Sequence, residues 1–190
     1  MSLTGVNLAW RSAVILGRQA DGSSACAPPA CDEAWPLVTE SDVPQTFADS
    51  TLTSASTVTV NAGSLKLSAA GTLGAATLVV DGGSFVNSTL EDLANPIQFG
   101  ATATFTGGSA DLTVPVTLLA DSTVTFQGEA NFQGVISGAK SFTLAGSGQV
   151  TLGGANTYTG GTNINGTIVS AASNLAFGTG AVTVNNGGTL

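Results

Sequence analysis

A chain of 190 residues is long enough for one domain with its own core or for a short stack of repeats. Only 8% of the residues are charged, 4 Lys plus Arg against 12 Asp plus Glu, while 26 Thr, 19 Ser and 25 Gly supply small neutral groups instead. The absence of His excludes a Ser-His-Asp triad, a Cys-His pair and a His-ligated metal within the chain, and the net charge of −8 argues against a nucleic-acid groove.

The composition is not that of a disordered chain, which needs low hydrophobicity. Here 43% of residues are hydrophobic and the mean hydropathy is +0.35. Val, Ile, Thr and Phe outnumber the strong helix formers, so strands are expected. The longest apolar run near the start, Ala13-Val14-Ile15-Leu16, is far short of the roughly 18 residues of a spanning helix. Membrane insertion of this segment is not expected. The same run is too short for a signal-peptide core, so the chain reads as an excised piece or a mature form.

Residues 1–50 form a segment of their own. They hold both Trp, both Cys, both Arg and six of the twelve acids, and they lack the repeat described next. Two readings apply: a cap that covers the open end of a repeat core, with Trp10, Val14, Ile15 and Leu16 as an apolar plug, or a separate binding or assembly module. Cys26 and Cys31 are separated by Ala-Pro-Pro-Ala, a spacing that closes a small disulfide loop stiffened by proline. Free thiols are the alternative. Two thiolates without further Cys or His do not complete a tetrahedral metal shell. Asp32, Glu33, Glu40, Asp42 and Asp49 match no calcium loop and read as a solvated acidic face. No cofactor or metal is therefore expected.

From residue 51 onwards the chain repeats. Val58-Thr59-Val60-Asn61-Ala62-Gly63-Ser64-Leu65 is echoed by Leu78-Val79-Val80-Asp81-Gly82-Gly83-Ser84-Phe85 and by Val182-Thr183-Val184-Asn185-Asn186-Gly187-Gly188-Thr189-Leu190. The apolar residues before each corner, Val60, Val80, Phe105, Phe126, Leu144, Ile164 and Val184, recur at about twenty residues. That is too short for a helical repeat but suits one turn of short strands and tight corners. The expectation is an all-β solenoid of about seven rungs over 51–190, with a loop at Leu90 to Pro96 in the one long interval. Alternation on each strand points one set of side chains inward, including Ile168, Val182 and Val184, and leaves Thr outside. Asn61, Asp81, Asn165 and Asn185 occupy equivalent corners. There they cap turns through side-chain to backbone hydrogen bonds rather than bind a ligand.

Residues 133–190 carry Gly134-Val135-Ile136-Ser137-Gly138-Ala139, Gly148-Gln149-Val150-Thr151-Leu152 and Gly154-Ala155-Asn156-Thr157-Tyr158-Thr159-Gly160-Gly161-Thr162. This stretch resembles the autotransporter-associated β-strand repeat of passenger domains in bacterial type V secretion. Asn95-Pro96-Ile97 and Ala103-Thr104-Phe105 extend the resemblance back to residue 95. It implies a right-handed parallel β-helix on the outside of a Gram-negative cell, and it carries over no catalytic residue. The corner Asn165-Gly166-Thr167-Ile168 is one residue shorter than is usual in the family, and the membrane barrel expected of an autotransporter is not in this sequence.

The leading expectation is thus a non-enzymatic scaffold at the bacterial outer cell surface, supporting adhesion, aggregation or secretion. A second is a structural subunit that self-associates head-to-tail through its exposed solenoid end into an extracellular filament, sheath or layer. A β-helical carbohydrate enzyme is disfavoured. Its carboxylates would have to be Glu91-Asp92, neighbours that point apart on a strand, and the only cations beyond residue 18 are Lys66 and Lys140. An ice-binding face is suggested by Thr-x-Thr at Thr51/Thr53, Thr57/Thr59, Thr102/Thr104/Thr106 and Thr123/Thr125, but Asn163-Ile164-Asn165 breaks the row.

Overall fold

The structure, a computed structural model, describes residues 37–47, 57–67, 73, 76–87, 93–107 and 110–190. In chain order the strands begin with β1 (Leu37–Phe47), β2 (Thr57–Leu67), β3 (Thr77–Val80), β4 (Ser84–Asn87), β5 (Ile97–Phe99) and β6 (Thr102–Gly107). They continue with β7 (Ala110–Leu112), β8 (Val116–Leu118), β9 (Ser122–Phe126), β10 (Glu129–Phe132) and β11 (Ile136–Ser137). The last are β12 (Phe142–Gly146), β13 (Gln149–Leu152), β14 (Thr162–Asn165), β15 (Ile168–Ala171) and β16 (Val182–Asn185). No helix occurs among the described residues, and none is therefore long and apolar enough to cross a membrane.

Among the described strands every pairing is parallel, and the partners lie about one repeat apart: Val58 on Leu78, Leu78 on Ile97, Ile97 on Val116, Val116 on Ile136. A chain that returns to the same place in the same direction every twenty residues is a coil of stacked turns. The molecule is a parallel β-solenoid of about six turns, consistent with a right-handed parallel β-helix. Three faces run along it. The first stacks β3, β5, β8 and β11 on the start of β2. The second stacks β4, β6, β9, β12, β14 and β16 on the end of β2. The third stacks β7, β10, β13 and β15. The long β2 bends between the first two faces and joins them into one sheet. Before it, β1 pairs with β2 through two register shifts, so parallel stacking extends into the chain before residue 51.

Alternation fills the interior. Leu65, Phe85, Phe105 and Phe126 form one inward row, Leu112, Phe132 and Leu152 another, and Ala103, Val124, Leu144 and Ile164 a third, all buried. The aromatic rings touch from turn to turn. Phe85 lies 5.5 Å from Phe105, Phe105 lies 6.0 Å from Phe126, and Phe132 meets Phe126 edge-on at 5.9 Å. Phe132 also meets Phe99 and Phe142 at 6.5 Å each, and Phe142 continues to Tyr158 at 6.0 Å. Edge-to-face contacts of this kind add about 0.5–1.5 kcal/mol each beyond area burial.

The rows differ from those read along the sequence. Val60 and Val80 stack under Phe99, not Phe105, and Phe105 belongs to the second face. Phe126 pairs with Gly146, whereas Leu144 pairs with Val124. The seven anchor residues therefore lie on three rows. The long interval from Val80 to Phe105 is a change of face, not an inserted loop: residues 93–96 are indeed non-strand, yet the spacing from Leu78 to Ile97 stays within one residue of the period. Ile168 is also corrected. It sits opposite Gln149 on the outer side and is 45% exposed, while Val169 points inward. Gln149 continues the outward column of Glu129, so Ile168, in register with it, turns outward, while Val169 stacks on Val150 inside. Val182 and Val184 are exposed because β16 is the outermost strand and has a neighbouring turn on one side only. Residues 1–36, including Cys26, Cys31, Trp10 and the proposed plug, lie outside the described residues.

Phe132 contacts three other rings at the centre of the stack, so Phe132→Ala leaves a cavity that rigid neighbouring turns cannot close. The expected cost is about 3–5 kcal/mol in urea denaturation. A loss below about 1 kcal/mol would show that the ring stack relaxes around the gap.

Candidate functional site

The polar side chains of the solenoid bond mainly from one turn to the next. Asp81 leaves the first face at its corner and accepts a hydrogen bond from the Ala101 amide at 2.9 Å. Two turns on, Asp121 does the same for Ser141, accepting from its amide at 2.9 Å and its hydroxyl at 3.1 Å. These two bonds, with a smaller contribution from Lys140, hold the Asp121 carboxyl below its ordinary range. Asp121 was not singled out from the sequence. Its signal there was its position, two periods after Asp81. On the third face Asn131 donates to Asp111 at 2.6 Å and Gln133 to Asn131 at 3.0 Å. Inside the coil Thr167 donates to the Gly148 carbonyl at 2.7 Å and Asn95 to the Ala76 carbonyl at 2.7 Å.

Asn156 enters the backbone ladder itself. At the start of each turn on the first face an amide donates to a carbonyl of the next turn: Leu78 to Pro96, Ile97 to Pro115, Val116 to Val135. At Ile136 the acceptor is instead the Asn156 side-chain oxygen, at 2.7 Å. The Asn156 Nδ2 then donates upward to the Ala176 carbonyl at 2.6 Å. One buried amide thus satisfies a donor below and an acceptor above, in place of peptide groups that the local turn carries elsewhere. Glycine lets this corner stack closely. A Cβ on Gly154 would collide with the Gly134 carbonyl beneath it and come within 2.9 Å of Asn156 Oδ1. Two residues on, Tyr158 is fully buried with its hydroxyl 2.6 Å from Thr162 Oγ1, which in turn donates to the Phe177 carbonyl at 3.3 Å. The motif Asn156-Thr157-Tyr158 through Thr162 is therefore a lock between adjacent turns.

Of the four expected corner residues, Asn61 and Asp81 share one row and Asn165 and Asn185 another, so they form two pairs rather than one equivalent set. Asp81 is the one whose capping bond is described, and it reaches the next turn rather than its own corner. Asn61, Asn165 and Asn185 are exposed. Glu91 and Asp92 lie outside the described residues. On the outer second face Thr102, Thr123, Thr143, Asn163 and Thr183 stack in one column, and Ser84, Thr104, Thr125 and Ala145 in the next. Paired Thr-x-Thr thus spans only two successive turns. Among the described residues no three Cys, Asp or Glu side chains gather as a metal ion would require. The chain matches no protein-family model, no curated protein and no solved structure.

Tyr158 is the only tyrosine, so phenolate absorbance reports on it alone. Burial raises its pKa, partly offset by the bond with Thr162. A group with a raised folded pKa stabilises the fold fully below its unfolded value and loses that contribution as pH rises through the folded one. Phenolate should therefore appear above the ordinary tyrosine pKa of 10.0, together with loss of β circular dichroism. An ordinary titration with the β signal intact would show that the Tyr158 hydroxyl reaches solvent in the folded coil.

Proposed function

We propose that this chain is a non-enzymatic extracellular scaffold, a passenger-type β-helix supporting adhesion, aggregation or secretion at a bacterial surface. The observation that carries this reading is the employment of the polar groups. Asp81, Asp121, Asn156, Thr162 and Thr167 are bonded to backbone of neighbouring turns. Chemistry-bearing side chains committed to holding a coil together suit a spacer better than a reactive centre. The stretch from Gly154 to Thr162, which resembles the autotransporter repeat, supplies the inter-turn lock of this coil, and the resemblance supports the surface setting.

A scaffold built from equivalent turns tolerates the loss of a whole one. Deleting residues 116–135 brings Ile136 onto Ile97 in the place of Val116. In a Gram-negative host, with the chain placed ahead of an outer-membrane translocator, this deletion should still display a fused epitope. Deleting half a turn, residues 116–125, misaligns every following row and should abolish display. Equal display of both variants, or a glycan-cleaving activity that Glu91→Ala with Asp92→Ala abolishes, would overturn the scaffold reading.

A second reading, head-to-tail stacking, is favoured by the edge at β16, the outermost strand of its sheet; β15 is already met by Thr189. Val182, Val184 and Leu190 are 40%, 47% and 61% exposed there. No charged residue follows Lys140 to block strand addition. Further turns of a longer chain or another copy would continue the ladders equally well. Light scattering over a concentration series, with and without a Lys-bearing cap after Leu190, separates them. Growth that the cap stops supports stacking of copies, and a chain that stays monomeric without it refutes that reading.

A further inference from the structure

The sequence contains two Asn-Gly steps, Asn165-Gly166 and Asn186-Gly187, and the solenoid places them at one corner on successive turns. Asn165 pairs in register with Asn185, and a Cβ built on Gly187 would lie 3.8 Å from the Gly166 Cα. Both glycines hold left-handed φ angles, 79° and 76°, and all four residues are exposed. Gly146, one turn below, has the same sign of φ, so glycine is demanded at this column by the sharpness of the corner. Alanine at 166 would be strained and would press on the Gly146 carbonyl at 3.3 Å. Two other asparagines of the upper turns differ. Asn156 is buried and bonded on both sides, and Asn163 is followed by the β-branched Ile164.

We propose that this corner is a site of spontaneous deamidation. A glycine amide meets no Cβ of its own as it approaches the preceding side-chain carbonyl, and both residues of each step are exposed. The Gly166 nitrogen bonds to Asn165 Cγ, the Cγ–Nδ2 bond breaks, and ammonia leaves with the proton from the Gly166 amide. Water then opens the cyclic imide at either carbonyl, giving aspartate or isoaspartate at position 165. The same steps apply at Asn186-Gly187. Water is the sole co-reactant. Each event adds a negative charge to a chain already at −8. The isoaspartate product also lengthens the backbone at Asn165, in the turn from Gln149 to Ile168 that is one residue short of the period.

The test holds the intact folded chain at mildly alkaline pH, with a parallel sample in denaturant. Readouts are isoelectric focusing, peptide mass mapping and enzymatic methylation of isoaspartate. The folded chain should gain acidic forms, with the NH2-to-OH mass change at Asn165 and Asn186 and none at Asn156 or Asn163. Asn165→Gln should remove the first signal and leave the second. Survival of Asn165 in the folded chain while the denatured chain converts it would overturn the proposal. So would equal conversion at Asn163.

Discussion

The structure depends on parallel strands meeting one repeat apart, so that each turn donates to the next. All other features follow from keeping that interval near twenty residues. When it is kept, inward rows stay inward and rings meet rings, from Phe85 through Phe105 and Phe126 to Phe132, Phe142 and Tyr158. Register then fixes the face of each residue: Ile168 meets the outward Gln149 and turns outward, while Val169 meets Val150 inside. Stability of this kind is a sum over neighbouring turns.

Stacking also explains the scarcity of charge. Equivalent positions on adjacent turns lie roughly 4.8 Å apart, and like charges at that distance repel. Threonine, serine and asparagine can stack in columns without that penalty, as Thr102, Thr123 and Thr143 do. The acids that remain in the coil have particular positions. Asp81 and Asp121 are two turns apart and each accepts from backbone of the turn between or beyond, which spaces their charges and satisfies corner amides.

The same economy bears on function. A coil whose polar groups bind its own backbone presents long, weakly charged faces and few reactive groups. That combination is the basis of the proposed scaffold role.

Composition and period determined the class of fold without further help, because a twenty-residue interval with alternating apolar residues has few solutions other than a coil of short strands. Most of the inward residues were legible for the same reason: alternation is local, and Val58, Phe85, Val124 and Leu144 obey it. Which rows those residues share was decided only by the tertiary structure. A sequence period gives the spacing between turns, but three faces of similar pattern offer several alignments, and Val80 to Phe105 crosses from one face to the next. The roles of Asn156, Tyr158 and Asp121 were hidden for a related reason. Their partners, Ile136, Ala176, Thr162 and Ser141, come into reach only when turns stack, and an asparagine that replaces a carbonyl in a ladder looks in sequence like any other turn residue.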